Sequence, residues 1–246
     1  PGKDIVNSLE VEGQVASQPK FLGSGGSKEV FDVEVGGEHY AVALCGLQDA
    51  PERVIQKWEN VLKEPANTAL LRARGFYVNE LCEVKNIKVN GVEFPALIMK
   101  RFEDHPFEIC DSKNIGGNAN RLFDEKTELS DDKMITLMSS VSDEIARLIS
   151  DGIRLGRDNF NLCVSEGQMH LYFNDLGATR VEPFSDDERK SVIDHYVMYA
   201  VGAVISSVSE ETYRNNPYIN QMGNLDNTLE TRLKKQISEQ LGIQES

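Results

Sequence analysis

The chain has 246 residues, of which 40% are apolar and 27% are charged, typical of a globular protein with one large domain or two lobes. Lys and Arg number 26 against 40 Asp and Glu, which gives a net charge of −14. This charge excludes an extended electrostatic contact with nucleic acid or an anionic membrane, but it allows a local basic pocket.

The amino-terminal region predicts a lead-in segment followed by a β-hairpin. Residues 1–19 are polar without a clear period, and we expect them to be loosely ordered. Apolar and polar residues alternate at 30–35 and again at 39–44, with Gly36-Gly37 between the two runs. Such a pattern is typical of two antiparallel strands joined by a tight turn.

A helical region and a second hairpin complete the first hundred residues. Pro51 opens one predicted helix, and Pro65 ends it and begins another that stops at Gly75. Two further alternating runs, 84–89 and 93–99, predict the second hairpin. The sequence therefore predicts a small antiparallel sheet with helices inserted.

After Met99 the sequence becomes mostly helical. The polar stretch 103–130 predicts a loop, and Ser130 begins the cap of a long helix. The later predicted elements are two short strands, 162–164 and 170–173, and two helices, 185–208 and 229–241. A sheet followed by helices is an α+β arrangement, with a cleft expected near Met99–Glu103.

Cysteine use and hydropathy predict a cytoplasmic protein. The four cysteines are widely spaced, and no histidine lies near them at zinc-ligand spacing. The longest apolar stretch, 196–205, is about half of a bilayer span, and no secretory signal is visible. Because the chain begins at Pro1, we expect a domain excised from a longer protein.

The first hairpin contains a glycine-rich segment that is suited to binding phosphate. Gly23, Ser24, Gly25 and Gly26 are followed closely by Lys28. Glycines allow backbone N–H groups to approach phosphate oxygens, and a hairpin can place them over a nucleotide. Taken alone, the segment is equally compatible with a flexible turn.

Two later segments carry residues suited to Mg²⁺ and phosphoryl transfer. Asn161 lies at a predicted strand, and Asp175 follows the next strand. These two side chains can hold Mg²⁺ against nucleotide phosphates, and Asp158 can orient or deprotonate an attacking hydroxyl. The alternative for Asp158 is a loop-capping role in an inactive protein.

In this order the three segments resemble the glycine-rich loop, the H-R-D-x-x-x-x-N motif and the D-F-G motif of protein kinases. The resemblance covers about residues 20–205. It implies a bilobal protein kinase-like fold with a β-rich N-lobe at 20–99 and a shortened helical C-lobe at 100–246. Asp175-Leu176-Gly177 resembles D-F-G, which implies that Asp175 is the principal Mg²⁺ ligand and Asn161 the second.

The resemblance also implies residues around the nucleotide. The stretch 97–102 is similar to the strand and hinge that contact adenine, with Met99 as gatekeeper and Arg101 beside it. Glu64 is the nearest match to the helix glutamate that pairs with the strand lysine, and Glu59 is a second choice. Pro65 disfavours helical geometry at Glu64.

The strand lysine itself is absent, since either Ala43 or Cys45 occupies its position, depending on the alignment. Residues 42–49 are similar to the Val-Ala-x-Cys-x-Leu-Gln-Asp run of the with-no-lysine kinases, which carry the lysine in the glycine-rich loop. The resemblance implies that Lys28 neutralises nucleotide phosphate. A solvated surface lysine is the alternative, and an engineered replacement of a lysine at Ala43 would weaken the inference.

Two other departures concern the catalytic loop and the segment after Asp175. Asp158 precedes Asn161 by three residues, whereas the aspartate of the kinase motif precedes its asparagine by five. Keeping the five-residue spacing would place Gly156 at the aspartate position. No Ala-Pro-Glu occurs between Asp175 and Asp194, the residue that resembles the aspartate bracing the catalytic loop. Such trimming resembles compact kinases secreted by bacterial pathogens and also small-molecule phosphotransferases.

We therefore expect an atypical kinase that uses ATP and Mg²⁺ to phosphorylate a hydroxyl on a protein (Ser/Thr), without activation by loop phosphorylation. One alternative is a pseudokinase that acts as a binding or scaffolding module. Another is a kinase-fold enzyme for nucleotidylation or small-molecule phosphorylation. We expect a basic protein partner, and a bacterial effector of this kind would act in the host cytosol.

Overall fold

The computed structural model describes residues 8–16, 19–24, 28–45, 58–110, 131–207 and 229–243. The chain is α+β, as its sequence predicts. It divides into two compact units. Unit 1 comprises Pro1–Arg74, Val78–His105 and Asp175–Ala178, and unit 2 comprises Gly75–Tyr77, Pro106–Asn174 and Thr179–Ser246. The first unit thus extends beyond Met99 and includes a short segment from late in the chain.

The described residues form thirteen β-strands, four α-helices and a further helical stretch at 58–61. The strands are β1 (Leu9–Val11), β2 (Gln14–Val15), β3 (Lys20–Ser24), β4 (Lys28–Val35), β5 (Glu38–Cys45), β6 (Tyr77–Val78), β7 (Cys82–Val89), β8 (Val92–Met99), β9 (Glu108–Cys110), β10 (Ile153–Arg154), β11 (Phe160–Ser165), β12 (Gln168–Phe173) and β13 (Arg180–Val181). The helices are α1 (Glu64–Ala73), α2 (Asp131–Ser150), α3 (Asp186–Ser207) and α4 (Leu229–Gln240).

Unit 1 contains a seven-stranded antiparallel sheet in the order β2-β1-β7-β8-β5-β4-β3. Both predicted hairpins are confirmed as β4-β5 and β7-β8. The lead-in differs from the expectation, because β1 and β2 extend this sheet beyond β7. Leu9 and Val11 are buried there, so two apolar residues at strand spacing are enough to order a short segment on an existing sheet edge.

The central strand β5 is buried on both faces. Val42 and Leu44 belong to one apolar cluster, and Ala43 and Cys45 belong to another. This division follows from the two-residue period of a strand, which directs alternate side chains to opposite faces. The Ala43 and Cys45 face is covered by Val61 and the half-buried Trp58. The second face therefore packs against the segment that leads into α1.

Helix α1 begins at Glu64, with Pro65 in its first turn. Proline is tolerated there because the first N–H groups of a helix have no intrahelical partner. A carboxylate in the first turn is also favoured by the helix dipole. Glu64 therefore keeps a helical position despite the proline that follows it, and its side chain is buried.

Unit 2 contains a four-stranded sheet in the order β6-β12-β11-β9 and the two-stranded pair β10-β13. The predicted strands at 162–164 and 170–173 are confirmed as parts of β11 and β12, which pair along their full lengths. Helix α2 packs against β12 and α4, and α3 packs against β11. All three predicted helices of this region are present over their described residues.

Several predictions fall on residues outside the described ranges. They include the start of the helix at Pro51, most of the loop at 103–130 and the helix end at Val208. No helix in the part of the chain that the structure describes is long and apolar enough to cross a membrane.

Burial of His105 makes the stability of the protein sensitive to acid. His105 is 8% exposed, and burial lowers the pKa of its ring to about 4. The unfolded chain titrates near 6.5 and binds the proton first, so stability is lost as pH falls from about 6.5 towards 4. We expect the free energy of unfolding to drop by up to about 3 kcal/mol across this window.

Urea unfolding between pH 7.5 and 4.5 measures this effect. His105→Phe should flatten the profile, whereas the exposed His195→Gln should leave it as in the native chain. An unchanged slope in His105→Phe would show that other groups cause the acid sensitivity.

Candidate functional site

Two carboxylates of unit 1 meet at the amine of Lys28. Its Nζ lies 2.6 Å from Glu64 Oε2 and 2.7 Å from Asp175 Oδ1. The side chains of Lys28 and Glu64 are 11% and 5% exposed, whereas that of Asp175 is 51% exposed. The structure thus brings together three predicted site residues that are far apart in the sequence, with the aspartate open to solvent.

The position of Lys28 follows from the register of the first hairpin. Lys28 is the first residue of β4, and it lies directly opposite Cys45 at the end of β5. Paired residues on neighbouring antiparallel strands have their Cβ atoms about 5 Å apart on the same face of the sheet. The amine therefore leaves the same face as Ala43 and Cys45, one strand away from the position of a strand-borne lysine.

The two carboxylate partners favour an ion pair. Burial acts to lower the pKa of Lys28, but Glu64 and Asp175 more than offset it, and the pKa is raised above its usual value. Burial raises the pKa of Glu64, and the attraction of Lys28 partly opposes this. Two carboxylates against one ammonium leave the trio with one formal negative charge. Removing the lysine would leave a buried carboxylate without its cation, which is strongly unfavourable.

Cys82 lies close to the trio but is not suited to nucleophilic chemistry. Burial raises the pKa of its thiol to about 11, with a hydrogen bond to Thr68 acting in the opposite direction. The thiolate is the reactive form of cysteine, so Cys82 is protonated and unreactive near neutral pH. It belongs with Met99 to the group of half-buried side chains around Ala43 and Cys45.

Asp175 lies in a turn that is held against α1 through its neighbours. Asp175 has a φ of 52°, in the left-handed region. The next residue, Leu176, donates its backbone N–H to Glu64 and accepts a hydrogen bond of 2.7 Å from Asn67 Nδ2. A Cβ on Gly177 would lie 2.5 Å from the carbonyl oxygen of Asn60. Asn67 was not predicted from the sequence, although its spacing of three from Glu64 places both on one side of the helix.

The glycine-rich segment is described only in part. Gly23 and Ser24 lie at the end of β3, beside an irregularity in the register between Phe21 and Gly23. None of the described residues lies within 4 Å of a Cβ built on Gly23. Gly25 and Gly26 lie outside the described residues.

Met99 and Arg101 lie where β8 ends. Met99 is half-buried and pairs with Ala41 and Cys82 across the sheet. Arg101 makes ion pairs with Asp104 at 2.8 Å and with Asp32 at 3.4 Å. The guanidinium is therefore engaged by two carboxylates of unit 1, and its nucleotide contact stays a prediction.

A buried asparagine supports this strand end. The Asn79 side chain accepts hydrogen bonds from the backbone N–H groups of Leu81 and Lys100 and donates to the Lys100 carbonyl. Arg72 of α1 in turn donates to the Asn79 carbonyl. Helix α1 and the residue that follows Met99 are thereby linked through one asparagine.

The catalytic-loop candidates belong to unit 2. Asp158 is exposed in a short 3-10 turn, Arg157–Asn159, that precedes β11. Asn161 donates its Nδ2 to Asn174 Oδ1 at 2.7 Å, which leaves its Oδ1 pointing away from this bond as the acceptor atom. The buried Asn159 ties the turn together, since it accepts from the N–H of Gly156 and donates to the Asn174 carbonyl.

The expectation for Asp194 as the brace of this loop is wrong. Asp194 is 54% exposed and pairs with Lys234 of α4 at 2.9 Å. The loop is held instead by Tyr196, which donates its hydroxyl to the Ile153 carbonyl and accepts from the N–H of Leu155. Burial raises the pKa of this phenol to about 12, so it keeps the proton that it donates. The buried face of α3 thus places Tyr196 against the loop, whereas Asp194 is exposed to solvent.

The side-chain oxygens of Asp175 and Asn161 are each suited to binding a Mg²⁺ ion that phosphate also coordinates. Within the described ranges no three His, Cys, Asp or Glu side chains form a group that could hold a metal by themselves. Mg²⁺ in nucleotide sites is held by one or two protein oxygens together with phosphates and waters. The exposed carboxylate of Asp175 and the amide oxygen of Asn161 are each ligands of this type.

No protein-family model matches the chain, and no curated protein matches it significantly.

Proposed function

We propose that this protein is an atypical phosphotransferase with a bilobal, protein kinase-like fold that transfers the γ-phosphoryl group of ATP to a hydroxyl. The observation that carries the proposal is the placement of the Lys28 amine between Glu64 and Asp175, at 2.6 and 2.7 Å. Lys28, beside the glycine-rich segment, thereby supplies the cation. The glutamate of α1 and the aspartate that follows β12 are its two partners. Phosphoryl transfer needs mainly this type of positioned charge.

The two carboxylates have different roles because their exposure differs. Glu64 is buried and holds the ammonium in place, whereas half of the Asp175 side chain is open to solvent. Lys28 can therefore stay bound to Glu64 and exchange Asp175 for a phosphate oxygen. Because Lys28, Glu64 and Asp175 together carry a net negative charge, they cannot neutralise the nucleotide phosphates by themselves. Mg²⁺, when bound, supplies the missing positive charge. Within unit 1, Asp175 is the residue that would hold it.

The acceptor is a hydroxyl, which Asp158 would orient or deprotonate. Its exposure allows contact with a large acceptor such as a protein side chain. A chain with a charge of −14 attracts a basic protein more readily than an acidic one. We therefore propose Ser or Thr hydroxyls of a basic protein as the acceptor class. A bacterial effector of this kind would act in the host cytosol.

Transfer from ATP labelled on the γ-phosphate tests the proposal. The purified protein should label itself or a basic test protein such as histone from γ-labelled ATP and not from α-labelled ATP. Asp175→Asn should reduce labelling by about 10²-fold, because a carboxylate ligand becomes a neutral amide. Asp187→Asn, an exposed aspartate of α3, is the matched control and should retain full activity. Label from the α-phosphate would show nucleotidylation instead.

A nucleotide-binding module without transfer activity is the second candidate. It is favoured by Asp158, which lies exposed on its turn and precedes Asn161 by three residues rather than five. In that case ATP would bind and Lys28 would still be required, but no label would move to any acceptor.

A further inference from the structure

The segment Asp175-Leu176-Gly177 contacts the helical region of unit 1 at three successive points. Leu176 donates its backbone N–H to Glu64 and accepts from Asn67 at 2.7 Å. Gly177 approaches the Asn60 carbonyl so closely that a Cβ would lie 2.5 Å from its oxygen. Both hydrogen-bonding groups of one peptide residue are thus satisfied by a single turn of α1, and its neighbour is fixed by packing.

These contacts determine where the Asp175 carboxylate lies. Asp175 adopts a left-handed φ of 52°, a conformation that is uncommon for residues other than glycine but more frequent for Asp than for most of them. Its own side chain is half exposed, and the contact at 2.7 Å is to Lys28. The following residue is buried and bonded to α1 through both its N–H and its carbonyl. The backbone that carries the aspartate is therefore positioned from its carboxyl side.

We propose that Asn67 is a positioning residue that holds Asp175 in the phosphate-binding geometry, so that the site is assembled in the resting protein without a covalent modification. The inference rests on the proposed function for its catalytic meaning, but the contact itself involves only residues of unit 1. Asn67 acts through the Leu176 carbonyl. Its side chain is half-buried, which makes it replaceable without opening the core.

Asn67→Leu is the sharpest variant. Leucine has the same number and branching of side-chain heavy atoms as asparagine and a higher helix propensity, so α1 should be at least as stable in the variant. The Leu176 carbonyl loses its side-chain donor, and leaving a buried acceptor without a partner promotes local opening. Asn86→Leu is the matched control, since Asn86 is exposed on β7 in the same unit.

Amide hydrogen exchange without nucleotide is the first measurement. In Asn67→Leu the amides of Leu176, Gly177 and Ala178 should exchange about 5- to 30-fold faster, while those of residues 68–73 keep their protection. Asn86→Leu should exchange like the native protein at both places. Unchanged exchange at 176–178 would overturn the inference, and so would equal loss of protection in α1, which would indicate a helix-stability effect.

Titration calorimetry with Mg·ATP is the second measurement. If the native protein binds, Asn67→Leu should weaken binding by about 5- to 30-fold, and Asn67→Gln, which keeps the amide donor, should recover part of the loss. Native affinity in Asn67→Leu would overturn the positioning role and leave the proposed function intact. If the native protein does not bind Mg·ATP, the proposed function fails, and the exchange experiment still decides whether Asn67 holds the turn.

Discussion

Lys28→Met is expected to abolish detectable Mg·ATP binding and to lower any kcat/KM for phosphoryl transfer about 10²- to 10³-fold. Methionine retains much of the length of the side chain but removes the positive charge that lies 2.6 Å from Glu64. Without the ammonium, Glu64 and Asp175 repel both each other and an incoming polyanion. Calorimetric titration and γ-label transfer measure the two effects.

The matched control is Lys20→Met in the same hairpin region. Lys20 is exposed at the start of β3, and its replacement should leave binding and transfer as in the native protein. Native nucleotide affinity in Lys28→Met would show that the contact between Lys28 and the two carboxylates is structural only.

A charge exchange across the hairpin sharpens this test. Cys45 lies opposite Lys28 on the next strand, and both residues leave the same face of the sheet. The double variant Lys28→Ala with Cys45→Lys should therefore return an ammonium to Glu64 and recover at least about 10-fold of the lost activity. Lys28→Ala alone is the reference. A folded double variant with no recovery would mean that the site requires the amine to come from β4.

Gly177→Ala has the second large expected effect. A Cβ at this position would meet the carbonyl oxygen of Asn60 at 2.5 Å and its carbon at 2.7 Å. Backbone atoms cannot rotate away as a side chain can, so the turn that carries Asp175 has to move. We expect a loss of about 1–3 kcal/mol in the free energy of unfolding, together with Mg·ATP binding weakened by about 10-fold or more.

Gly202→Ala provides the comparison for Gly177→Ala. Gly202 lies in α3, and no residue in the described part of the chain comes within 4 Å of an added Cβ, so alanine there should stabilise the helix slightly. Urea unfolding of both variants separates the steric effect from the loss of glycine as such. Equal stability of Gly177→Ala and the native protein would contradict the close approach to Asn60.

Local pattern was sufficient to predict much of the fold. The β4-β5 and β7-β8 hairpins and helices α2, α3 and α4 follow from short-range periodicity and turn residues. Strands β1 and β2 were missed because such short strands have little pattern of their own. Strand β1 forms because it pairs with β7, which is distant in the sequence.

The sequence predicted the site residues whose type is specified by a motif. It did not predict residues whose role depends on the geometry of the folded chain. Lys28, Glu64 and Asp175 were selected from motif order, and the structure brings them together. Asn67 was missed because its partner is a backbone carbonyl, which no side-chain motif reveals. Tyr196 was missed because the kinase motif has an aspartate in this role, whereas here a tyrosine hydroxyl donates to the Ile153 carbonyl.

The most direct measurement is the melting temperature of the native protein with ATP in the presence and absence of Mg²⁺. With Mg·ATP at about 100 times its dissociation constant, the stabilisation should reach about 2.7 kcal/mol, or a shift of about 5 °C or more. ATP with a chelator should give a much smaller shift, since the trio around Lys28 carries a net negative charge. An unchanged melting temperature with saturating Mg·ATP would contradict both the transferase and the nucleotide-binding module.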